Sequence, residues 1–98
     1  MPAPTSNAAV TRDGEALRFA GPLLRAQVAA GWRQALPLLA GVRRFDLTAV
    51  ERVDSAGMAL LAELAARVGA PVTIAGTPAG YEALCAAYRL TPALAFAR

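Results

Sequence analysis

The sequence predicts an α/β fold, and three observations carry that prediction. Extended-looking runs alternate with helical ones in the order hairpin, helix, strand, helix, strand, helix. Asp13-Gly14 sits between two short extended runs and marks a tight hairpin, because both residue types tolerate positive φ. Residues 45–68, FDLTAVERVDSAGMALLAELAARV, pass from a buried-strand pattern directly into an amphipathic helix. Alternation of this kind argues for crossover connections and a largely parallel inner sheet, with the hairpin adding an opposed strand direction at one side. At 98 residues the chain is one domain by length. Residues 1–8 carry Pro, Ser, Thr and Asn without apolar period and are expected to be a tail, leaving 9–98 as the folded unit.

The elements follow in order. Between Val10 and Ala20, Leu17 and Phe19 flank Arg18, the alternation of a half-buried strand. Leu24, Val28, Trp32, Ala35, Leu36 and Leu39 recur at helical spacing and predict a helix of about 13 residues, which Pro37 ends or kinks near Leu36. Trp32 reads as a core anchor. Arg43–Thr48 is the expected central strand, with Phe45 and Leu47 on one face. Ala56–Val68 is the second helix, stopped by Gly69 and Pro71. Val72-Thr73-Ile74 is a short strand. Thr77 and Pro78 supply an N-cap and a first helical residue for a third helix, whose apolar face holds Tyr81, Leu84, Cys85 and Tyr88. Residues 93–98 are expected to add a last extended segment.

Composition narrows the function. The net charge is +3, and all ten basic residues are arginines dispersed among acidic ones, without the basic stripe and interleaved aromatics of a nucleic-acid binder. Cys85 is a lone cysteine, so neither an internal disulfide nor a Cys-rich zinc site is available, and a reducing compartment is expected. The first ten residues lack the charge and apolar block of a signal peptide, and no uncharged apolar run of ~18 residues spans a membrane. These points predict a cytoplasmic protein that reaches a membrane only through a partner. Serine nucleophiles need a base and an oxyanion hole, and the chain has no histidine and no lysine. No Walker loop, metal-ligand cluster or paired metal-binding carboxylates occur in the sequence, so no catalytic residue, metal or cofactor is expected.

What, then, does Ser55 do at the junction of strand and helix? Asp54 or Ser55 can cap the helix, a contribution of about 1 kcal/mol. Stepping about 100° per residue, Gly57, Leu60, Leu61, Leu64 and Val68 share the core arc, and Glu63 and Arg67 lie on one flank as an i,i+4 surface pair. The remaining face holds Ser55, Met58, Ala59, Ala62 and Ala66. An ordinary solvated face carries charge; this one carries small side chains, a methionine and a hydroxyl, as a docking surface would. A phosphate on Ser55 would also sit at a helix N-terminus, which favours anions, beside Asp46, Glu51 and Asp54, and could act as a switch that abolishes docking.

The stretch Asp46-Leu47-Thr48-x-Val50-x-Arg52-Val53-Asp54-Ser55-Ala56-Gly57-Met58-Ala59-Leu60-Leu61 resembles the signature of STAS domains, the fold named after sulfate transporters and anti-sigma factor antagonists. The resemblance is greatest to the small STAS subunit of the bacterial Mla phospholipid-transport ABC system and runs over roughly residues 10–98, through the hairpin, the Trp-bearing helix and the Tyr81–Leu90 segment. It implies a mixed sheet of four or five strands with helices largely on one face. It also implies a non-enzymatic cytoplasmic subunit that binds and supports the transporter's ATPase, and through it the inner-membrane permease, in a system that maintains outer-membrane lipid asymmetry. On that reading Ser55, Met58, Ala59, Ala62 and Ala66 meet the partner, and Glu51, Arg52 and Asp54 supply rim charges. The Mla branch often has threonine where Ser55 stands. In the antagonist branch, a kinase that is also an anti-sigma factor phosphorylates the serine at this position, which is the alternative role for Ser55.

Overall fold

The computed structural model of the chain describes residues 9–90. The expected N-terminal tail, 1–8, and the expected last extended segment, 93–98, lie outside the described residues. Four strands form one mixed sheet in the order β1-β2-β3-β4: β1 is Ala9–Asp13, β2 Ala16–Ala20, β3 Arg44–Ala49 and β4 Thr73–Ala75. β1 and β2 are the antiparallel hairpin, turning at Gly14 and Glu15; β2 with β3 and β3 with β4 are parallel. The α/β expectation and its mixed strand directions are both present.

Register separates the two sheet faces. Leu17, Phe45 and Ile74 are aligned across three strands, and Val10 pairs with Phe19. These residues meet Leu60, Leu61, Leu64, Ala35 and Leu39 in one core, so the helices cover this face. Phe19 and Phe45 touch edge to face, ring centroids 5.6 Å apart, the arrangement the ring quadrupoles favour. The opposite row reads Thr11, Arg18, Asp46 and Ala75, with Arg18 paired to Asp46 at 3.3 Å and to Asp13 at 3.7 Å. Arg12 lies in the core-face row but at its edge. Its guanidinium reaches the carbonyls of Leu38 and Ala40, at 2.6 and 2.8 Å, and satisfies the end of the segment after α1.

The first helix is shorter than its apolar spacing suggests. A 3-10 turn, Arg25–Gln27, leads into α1, Val28–Ala35, and a second 3-10 turn, Leu36–Leu38, follows. Pro37 has no N–H to donate and ends the regular helix within two residues, as expected. α2 runs Ser55–Val68 and ends at Gly69, whose φ of 77° is left-handed. Trp32 of α1 is half-buried against the core, and the Arg67 guanidinium of α2 lies 4.9 Å above its ring. The expected Glu63–Arg67 pair is not among the ion pairs of the described residues. A stacked guanidinium that also ties α1 to α2 outweighs an exposed pair worth a few tenths of a kcal/mol.

α3 departs from its expected start. It spans Tyr81–Ala87 with Gly80 as its N-cap, and Thr77 caps nothing. The chain at Ala79 is still extended: its N–H donates to the Glu51 carbonyl at 3.2 Å, and its carbonyl accepts from the Val53 N–H at 3.1 Å. That pairing across space outranks the local helix-start signal of Thr77-Pro78.

Candidate functional site: the face of α2 and its groove

The site is built where β3 gives way to α2. After Ala49 the chain steps out of the sheet, then rejoins it at Arg52 and Val53 as single parallel bridges, Leu23 with Val53 on one side and Arg52 with Ala79 on the other. The Leu23 N–H donates to the Arg52 carbonyl at 3.0 Å. Residues 51–54 are therefore clamped from both sides, and the N-terminus of α2 is set at the carboxyl end of a central strand, where parallel sheets place their functional loops.

Asp54 is the N-cap, one of the two capping residues the sequence allows. Its carboxylate accepts from the Gly57 amide at 2.9 Å and from the Arg25 amide, also at 2.9 Å. One side chain thus ties the start of α2 to the turn that opens α1. Partial burial pushes the carboxyl up, but these amides outweigh it and hold it below its ordinary value. Gly57 makes the clamp close. A Cβ there would stand 2.0 Å from the Leu23 carbonyl oxygen and 2.7 Å from Val53 Cγ2, so only glycine lets the segment at Leu23 lie against the first turn of α2. Upstream, Asp46 accepts from the hydroxyl of Thr48 at 2.6 Å and from its amide at 2.9 Å, and these bonds, hydroxyl first, lower its pKa.

Where do the residues singled out in the sequence lie? Ser55, Ala59 and Ala66 are exposed, and Ala62 is half-buried. The Ser55 hydroxyl makes no hydrogen bond among the described residues. Glu51 and Arg52 are exposed in the clamped loop, and Asp54 is half-buried as the cap. Met58 is a correction. Expected on the outer face, it is fully buried and belongs to the core cluster. The wheel misplaces it because it treats the sheet as the only thing α2 packs on. Ala65, on the same side as Met58, also packs on the core, so the buried arc is wider than the five residues expected.

Two residues complete the surface that sequence reasoning did not assign to it, Tyr88 and Leu90. Together with Ser55, Met58, Ala59 and Ala62 they line an open apolar groove of about 230 Å³. Met58 forms part of its lining from within. Tyr88 was expected on the apolar face of α3; it is instead 42% exposed. The chain turns at Arg89, whose φ of 54° is the one positive value outside glycine among the described residues. The signal available in the sequence was an aromatic at the end of a short helix, which does not say what stands opposite. Ala66 lies beyond the groove on the same face of α2.

The chemistry of this surface is that of contact. Its lining is small, apolar and aromatic, with hydroxyls on Ser55 and Tyr88 alone, and no cluster of three or more potential metal ligands exists among the described residues. None of the described helices is long and apolar enough to cross a membrane. No curated protein matches the sequence closely enough to count as a relative. The family model described as Mlab, STAS domain matches residues 7–94, the hairpin, the clamped loop, α2 and the groove included. A match over so much of the sequence, on a fold of this topology, establishes that the chain belongs to the STAS domain family, in its Mlab group.

Proposed function

We propose that this protein is the STAS subunit of an Mla-type phospholipid ABC transporter, a non-enzymatic cytoplasmic component that docks on the transporter's ATPase through the outer face of α2. STAS domains are a class of binding and regulatory domains, and the Mlab group supports this assignment. The observation that carries the docking mode is the groove, an uncharged concavity between α2 and the end of α3 with Ser55 at one end. Ser55, Ala59 and Ala62 would meet the ATPase, Met58 would lie beneath them, and Ala66 would extend the contact along the helix. Glu51 and Arg52 would contribute rim charges, while Asp54 holds the helix start in place. Through the ATPase the subunit would reach the inner-membrane permease and contribute to outer-membrane lipid asymmetry.

Co-purification with the Mla-type ATPase from the same genome tests this reading. Ser55→Arg and Ala59→Arg add bulk and charge at exposed positions and are expected to abolish capture while leaving the circular dichroism spectrum and melting curve of the isolated subunit intact. Ala62→Glu is expected to do the same with some loss of stability, because Ala62 is half-buried. Retention of all three variants at parental levels would remove α2 from the interface.

One observation favours a second reading. The Ser55 hydroxyl is exposed and free of partners among the described residues, as a kinase substrate must be. In that case the protein is an anti-sigma factor antagonist, controlled by a kinase that is also its binding partner. Intact-mass measurement of the protein from its own cells separates the two: a stable species heavier by one phosphate, absent from Ser55→Ala, supports the antagonist.

A further inference from the structure

We draw no further inference here: the strongest candidate, the open apolar groove between α2 and the end of α3, belongs to the site already described, and nothing in the structure shows what covers it.

Discussion

Two backbone amides converge on the carboxylate of Asp54, one from the helix it caps and one from a turn 29 residues earlier in the chain. Removing the side chain leaves both donors without their acceptor. A lost N-cap costs about 1 kcal/mol and a hydrogen bond to a charged group about 1.5–3 kcal/mol when desolvated; the Arg25 bond is exposed and water replaces part of it, so Asp54→Ala is expected to destabilise by about 2 kcal/mol. For a domain of this size that is a fall of roughly 10 °C in Tm by calorimetry. Asp54→Asn keeps an oxygen for Gly57 but turns an amide towards the Arg25 N–H, and its loss should lie between parent and alanine. A variant within 1 °C of the parent would show that the clamp does not need the carboxylate. Gly57→Ala is a different failure. It adds one methyl against a backbone carbonyl that cannot rotate away, and overpacking of that kind costs about 1–3 kcal/mol. The upper end is expected here, together with a shift of the segment at Leu23 that nuclear magnetic resonance would detect at the Leu23 and Val53 amides.

Among the elements, the end of α3 connects backbone conformation to the groove. Arg89 adopts a left-handed conformation that costs an L-residue about 1–2 kcal/mol, and in doing so it turns the chain between Tyr88 and Leu90. Arg89→Gly relieves that cost but adds freedom to the unfolded chain, for a net gain of about 0.5 kcal/mol. It also removes the charged side chain between two groove-lining residues. Stability and partner affinity should therefore move in opposite directions, with urea melts shifted up and ATPase binding weakened; a variant that gains or loses both together would separate Arg89 from the interface. The same element marks where local sequence signals give out. The Asp13-Gly14 hairpin, the end of α1 at Pro37 and the stop of α2 at Gly69 depend on neighbours along the chain, and each was legible. Met58 was misplaced, Thr77 was expected to start a helix it does not start, and Tyr88 and Leu90 went unassigned to the site. In each case a distant segment decides: the wider packing of α2 buries Met58, and the pairing of Ala79 with residues 51 and 53 delays α3. Ser55, Ala59 and Ala62, which line one groove, could be grouped from the sequence because a face without charge is a property of one helix, whereas the groove itself needs two elements.

At the scale of the whole molecule, pH couples the clamp to folding. The sequence has ten arginines, seven carboxylates and no histidine, so no imidazole titrates between pH 5 and 8. Two carboxyls, Asp46 within β3 and Asp54 at the start of α2, sit below their ordinary value in the folded protein. Asp46 is held there first by the Thr48 hydroxyl and then by its amide. At Asp54 partial burial works in the opposite direction but is outweighed by the amides of Gly57 and Arg25. A depressed folded pKa means that the unfolded chain takes up protons at these sites first as pH falls. Their stabilisation is therefore complete above the ordinary carboxylate value, about pH 4, and is lost as pH drops through the two lower folded values. Protonation of the other carboxylates adds to the loss by leaving the arginines to repel one another. Urea midpoints are expected to be level from about pH 5 to 7.5 and to fall steeply below about pH 4. The double variant Asp46→Asn, Asp54→Asn should be less stable than the parent at neutral pH and should lose less on acidification, so that the two curves converge in acid. If the double variant falls in parallel with the parent, acid unfolding is driven by general charge repulsion, and these two carboxyls carry no special share of it.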